Sequence, residues 1–130
     1  MKRVHIYSFG CAHVDRRPPP SPLNRPWDLC VNVQHLKDPH ASGLDPQVRN
    51  LFLELNSGEA ELITTFADFM VGLAFKRFDE AALAISCKHG FARSVSMTEV
   101  LGEHFRRKGY EVEIVHLHHN EPMIKSDCDD

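Results

Sequence analysis

The 130-residue sequence lacks most of the signals by which a chain declares a specialised environment. No apolar run approaches the ~20 residues needed to cross a bilayer, which excludes a transmembrane helix. The amino terminus, Met1-Lys2-Arg3-Val4-His5-Ile6-Tyr7, enters a strand pattern at once and offers no apolar stretch of a secretory signal. Four cysteines, Cys11, Cys30, Cys87 and Cys128, show neither paired metal spacing nor the density of a disulfide scaffold, and read as free thiols of a cytoplasmic protein. Positive charge is not in excess: the net charge is −3, so the protein as a whole does not present the field of a nucleic-acid binder. There is no internal repeat. What remains is an ordinary globular composition, 42% hydrophobic and 25% charged, at a length suited to one domain.

Periodicity then orders the chain. Residues 4–9 alternate as a first strand, closed by Gly10. Residues 15–26 hold five of the eight prolines, including Pro18-Pro19-Pro20, and form a loop rather than a domain boundary. Residues 28–33 read as a second strand and 36–42 as a loop containing Asp38-Pro39-His40. Asp45-Pro46 starts a short helix through Leu55, and Asn56 with Glu59 forms a second capping arrangement. Leu62, Ile63, Phe66, Phe69, Met70 and Leu73 recur at helical spacing, the pattern expected of a core stripe. Residues 81–86 are apolar throughout, as in a strand buried on both faces. A helix over 95–108 stops at Gly109, and residues 110–117 supply a last strand. This order predicts an α/β fold, a small single-domain three-layer structure with a mostly parallel sheet. It occupies residues 1–120, with residues 121–130 an acidic, disordered tail.

The informative stretch is Cys87-Lys88-His89-Gly90-Phe91-Ala92-Arg93-Ser94, between the buried strand and the following helix. Strand, glycine-bearing loop and helix start form the geometry in which backbone N–H groups gather around an anion, to which Arg93 adds a two-pronged charged contact. His116, His118 and His119 raise a metal by count. No carboxylate or cysteine stands at a recognisable spacing to them, so neither metal nor cofactor is expected.

Ser8-Phe9-Gly10, Asp38-Pro39-His40, Gly43-Leu44-Asp45, the Cys87…Gly90…Arg93-Ser94-Val95 loop and Lys108-Gly109-Tyr110-Glu111-Val112 occur in the order that resembles the C-terminal domain of the RapZ (RNase adapter) proteins. The likeness runs from about Val4 to His118. The P-loop pattern of the preceding domain in that family is absent, so the chain is similar to the C-terminal module alone. The resemblance implies a homo-oligomeric regulatory domain that recognises a phosphorylated metabolite, an amino-sugar phosphate or nucleotide, and RNA. Carried over by position, ligand contacts fall at Asn32, His40, Lys88, His89, Gly90 and Arg93, with Cys87 and Ser94 completing the loop. RNA contacts fall at His13, Lys88 and Arg93. The family's usual Asp is Asn32 here, and its basic tail is acidic, changes that phosphate binding tolerates better than RNA binding does.

The same loop carries the Cys-x5-Arg spacing of cysteine-dependent phosphatases, with Cys87 as nucleophile and Arg93 and Ser94 as support. Ser86 stands where those enzymes favour histidine, and only Asp15 or Asp38, brought in by a loop, supplies a general acid. The reading is therefore a binding module, with the phosphatase as the alternative.

Overall fold

A computed structural model describes residues 1–121 of the chain. The acidic tail and Cys128 lie outside the described residues, apart from Glu121. Strands β1 (Arg3–Gly10), β2 (Leu29–Asn32), β3 (Glu80–Cys87) and β4 (Glu111–His116) are joined by helices α1 (Pro46–Leu55), α2 (Ser57–Ala74) and α3 (Arg93–Arg107). All pairings are parallel, in the order β2-β3-β1-β4, so the α/β class read from the sequence is the class observed.

The topology explains what covers each face. The β2–β3 and β3–β4 connections step the same way across the sheet, and right-handed crossovers then place their helices on one side. Val4, Ile6, Leu83 and Ile85 accordingly pack against Phe52, Val71, Met97, Leu101 and Phe105. The β1–β2 connection steps the opposite way, which sends the proline-rich segment to the other face. There Trp27 meets Tyr7 edge-on, with ring centroids 5.3 Å apart. Its indole N–H donates to the carbonyl of Pro19 at 2.7 Å. Asp28 fixes the segment to β3, accepting from the amide of Ala82 at 2.8 Å. The third layer is thus irregular chain rather than helix.

The predicted helix ends hold where the local signal was chemical. The carboxylate of Asp45 accepts from the amide of Gln47 at 2.9 Å, with Pro46 at the first helical position. Two other expectations are corrected. Asn56 stands at the start of α2 but makes no side-chain cap; buried, it accepts from the amide of Lys37 and donates to the carbonyls of Lys37 and Phe52. It ties the 36–38 loop to the α1–α2 junction, a partner that lies 19 residues away and leaves no local trace.

The apolar stripe of α2 is the larger correction. Ala60, Ala67, Val71 and Ala74 face the sheet, whereas Leu62, Phe66, Phe69 and Leu73 are 64%, 63%, 58% and 56% exposed. Only Ile63 of the predicted core stripe joins the edge of the core cluster. α2 carries two apolar stripes at helical spacing, and the small residues go inside because β3 below is itself built of Ala81, Leu83 and Ile85 at close approach.

Candidate functional site

β3 delivers Cys87 to the carboxyl edge of the sheet, residues 88–92 turn, and α3 begins at Arg93. Two glycines make the turn possible. Gly90 has φ +74°, and a Cβ there would stand 2.6 Å from the amide nitrogen of Gly10. A Cβ on Gly10 would in turn stand 2.4 Å from the carbonyl carbon of His89. The end of β1 and the loop therefore touch backbone to backbone, an approach that only two hydrogens allow.

The Cys87 sulfur is buried; it accepts from the amide of Gly90 at 3.3 Å and donates to the hydroxyl of Ser94 at 3.1 Å. Arg93 is 3% exposed although charged. Its Nη1 donates to the carbonyl of Gln34 and, at 3.4 Å, to that of Leu36, and its Nε lies 3.8 Å from the carboxylate of Asp38. The two-pronged contact expected for an anion is thus directed at main-chain oxygens of the 34–38 segment. His40 follows two residues later, its backbone at φ +58° and its amide donating to the Asp38 carboxylate at 2.7 Å. The His40 ring is 82% exposed.

Together Asp38, His40, Cys87, His89, Phe91 and Arg93 line a cavity of about 370 Å³. Asn32 and Lys88 instead line a second cavity, about 630 Å³, with Cys11, Cys30, Arg16 and Ser86. The reason is strand parity: Asn32 pairs with Ser86 in the β2–β3 register, and Ser86 faces away from its neighbour Cys87. Of the eight predicted ligand residues, His40, Cys87, His89 and Arg93 share a cavity, Gly90 and Ser94 hold the Cys87 sulfur, and Asn32 and Lys88 belong to the other side. Asp38 lines the shared cavity with Cys87, whereas Asp15 lines the other.

The chain after β4 returns over this loop, which periodicity did not suggest. His118 Nδ1 accepts the amide of Gly10 at 2.9 Å, and its ring stacks on His13 at 4.6 Å. Burial, reinforced by the charge of His13, holds the His118 pKa below the ordinary 6.5, consistent with a lone pair kept on Nδ1. His119 stacks on Phe91 at 5.1 Å and bonds to Ser42 at 2.7 Å. His116 bridges Ser8 at 2.5 Å and Glu99 at 2.8 Å. This serine–histidine–carboxylate chain resembles a nucleophilic triad, yet Ser8 is completely buried and reaches no substrate; it links β1 and β4 to α3.

Comparison with known proteins follows the same line. The sequence model of the RapZ C-terminal domain family matches residues 2–120. A "nucleotide-binding protein" of Geobacter metallireducens is 33% identical over 124 residues, and one of Bacillus thuringiensis is 31% identical over 125. These alignments cover 87% and 88% of this chain but only 40% and 39% of the relatives, so the chain spans about 40% of their length.

Proposed function

This chain belongs to the RapZ C-terminal domain family, and from that premise we propose that it is a regulatory module binding a phosphate-bearing metabolite between His40 and the 87–94 loop. The observation that carries the reading is the meeting of the first turn of α3, His40, His89 and Arg93 in one cavity at the carboxyl ends of parallel strands. Open α/β sheets take ligands there, and a helix N-terminus presents partial positive charge to a phosphate. Arg93 adds charge and, by holding residues 34–38, sets where His40 stands. Asp38 on the same wall gives a ligand ammonium its partner, which favours an amino-sugar phosphate over a plain sugar phosphate. The relatives' nucleotide-binding name makes nucleotides the second class to try. RNA is less favoured, since Lys88 and Arg93 are 5% and 3% exposed, which leaves Arg16 and Arg17 as the exposed cations nearest that side of the site.

Calorimetry with a hexosamine phosphate, its N-acetylated form, a hexose phosphate and nucleotides tests this. We expect binding that weakens when the amine is acetylated and when His40 is changed to Ala. No heat from any of these with the folded protein would overturn the reading.

One observation supports a second reading, a cysteine-dependent phosphatase: Asp38 shares the cavity with Cys87, whose sulfur accepts the Gly90 amide. In that chemistry the sulfur attacks phosphorus, the ester oxygen leaves with a proton from Asp38, and water later frees phosphate. Turnover of p-nitrophenyl phosphate that vanishes in Cys87→Ser would establish it. We expect no turnover, and a Cys87→Ser protein that keeps its phosphate affinity.

A further inference from the structure

Five of the chain's nine histidines, His13, His40, His89, His118 and His119, stand around the β3–α3 turn, and the last two come from the segment that follows β4. That segment reaches both walls of the candidate cavity. The His119 ring stacks on Phe91 of one wall, with centroids 5.1 Å apart and planes 18° from parallel. Its Nε2 bonds at 2.7 Å to the hydroxyl of Ser42, two residues beyond His40 of the other wall. The walls are also joined through main chain, where the amide of Gly43 donates to the carbonyl of Phe91 at 3.1 Å. His119 spans the same gap with a side chain.

The segment is itself fastened at His118. Leu117 continues the pairing of β4 with β1, its amide donating to the carbonyl of Ser8 at 3.0 Å. The next fastening is His118 Nδ1, which accepts the amide of Gly10 at 2.9 Å. An amide can only donate, so Nδ1 must carry a lone pair, and an imidazolium there would set donor against donor. Gly10 is also the residue that meets His89 and Gly90 backbone to backbone, so the segment is pinned to the support of the turn itself.

We propose that residues 117–120 are a clasp, holding the two walls of the cavity together while His118 is neutral and letting go when it takes a proton. Its regulatory meaning rests on that cavity being the ligand site, whereas the clasp itself rests only on these contacts. Burial first, and then the charge of His13, whose ring stacks at 4.6 Å, oppose a proton on His118; Glu121, on the same segment, favours one and is outweighed. The closed clasp therefore resists a proton that the released segment accepts. Closure is full above the ordinary 6.5 and declines as pH falls beneath it. His119 carries no such requirement, because the Ser42 hydroxyl can donate or accept. The switch is His118, and His119 is the part that grips.

Hydrogen–deuterium exchange of the full chain at neutral and at mildly acid pH, corrected for intrinsic rates and read by mass spectrometry, tests the release. Protection of residues 115–121 is expected to fall roughly fivefold on acidification. His118→Gln, which accepts the Gly10 amide through its side-chain oxygen but binds no proton, should hold that protection within about twofold. The grip is tested at neutral pH with His119→Ala, folded by circular dichroism. Iodoacetamide should then label Cys87, a buried thiol of the cavity, about threefold faster relative to Cys30 in the same sample. Calorimetric affinity for a hexosamine phosphate should fall about tenfold as the walls lose their preorganisation. Exchange that ignores pH, or a His118→Gln chain as pH-sensitive as the unmodified one, overturns the proton release. Cys87 labelling indifferent to His119→Ala overturns the grip. A clasp that behaves as expected in a protein that binds no phosphate compound overturns the ligand reading of the cavity instead. Equal hexosamine phosphate affinity in the unmodified and His119→Ala chains overturns the control of that site by the clasp.

Discussion

At the β3–α3 turn the chain buries its charges, and along α2 it exposes its largest apolar side chains. Lys88 and Arg93 are nearly inaccessible, while Phe66 and Phe69 stand mostly in solvent. Each region inverts the usual partition, for a different reason. The turn can bury charge because its backbone leaves carbonyl oxygens to be satisfied: those of Gln34 and Leu36 accept from Arg93, and Asp38 balances it nearby. The helix can expose Phe and Leu because a second stripe, of small residues, already fills the space above β3. The turn is held by tight backbone approach and specific polar pairing; the α2 face is held by nothing within the protomer. The comparison can be broken at both ends by substitution.

The largest effect is expected where backbones touch. Gly90→Ala places a methyl group 2.6 Å from the Gly10 amide at positive φ, and should destabilise the fold by about 3–5 kcal/mol, read from denaturant unfolding. A change under about 1 kcal/mol would mean that the turn is far looser than its contacts imply.

Next comes the buried arginine against the exposed histidine that it positions. Arg93→Ala removes the donor to the Gln34 and Leu36 carbonyls and the cation beside Asp38, and should cost about 3 kcal/mol of stability along with ligand affinity. His40→Ala, by contrast, should change stability by less than ~0.5 kcal/mol and lower phosphate-ligand affinity alone. If both variants unfold at the same denaturant concentration, Arg93 is not the structural member of the pair.

Acidification should act on the loop side and the helix side in turn. The His118 pKa lies below 6.5 because of burial and the charge of His13, so the folded state resists a proton that the unfolded chain accepts. Stability is full above that value and begins to fall as pH drops beneath it. For Glu99, the hydrogen bond from His116 outweighs burial. For Asp68, burial alone would raise the pKa, but the bonds from His104 and Lys108 prevail. Both carboxylates therefore sit below their ordinary 4.5 and 3.8, and their contribution is lost at lower pH still. Thermal unfolding against pH should show a two-stage decline. His118→Gln, which can still accept the Gly10 amide, should flatten the upper stage only. An unchanged upper stage would assign it to another group.

The smallest effect is expected on α2. A Cβ on Gly72 meets nothing within 4 Å in the protomer, so Gly72→Ala should raise stability by about 0.5–1 kcal/mol through helix propensity. The sign, opposite to that at Gly90, is what the measurement checks.

Much of the fold was legible locally. Alternation marked the strands, Asp45-Pro46 and Gly109 marked helix ends, and the wholly apolar 81–86 run marked a central strand, because these signals depend on a residue and its near neighbours. The turn at 87–94 was legible too, since a glycine between a buried strand and a helix start marks a tight connection, and Gly90 does adopt φ +74°. Element ends were less so: β2 is shorter than its apolar run, and α3 starts at Arg93 rather than Val95. Two things about the site were not legible. Asn32 and Lys88 read as companions of Arg93, yet side-chain parity in β2 and β3 sends them to the opposite face. The histidines that close over the turn, His118 and His119, read as a count of possible ligands, whereas their partners Gly10, Ser42 and Phe91 are distant in the chain.

By itself, the sequence determined the α/β class, the order of elements and the location of the glycine-bearing turn between β3 and α3. Those follow from periodicity, and from residues whose backbone preferences act wherever they are placed. Only the tertiary structure decided which of two equally periodic stripes on α2 faced β3. It also decided that Asn56 tethers a loop instead of capping a helix, and that Arg93 turns to carbonyls on its way to the cavity. In each case the local pattern permits two outcomes of similar energy. The choice falls to whichever surface or unpaired backbone group the rest of the chain brings alongside.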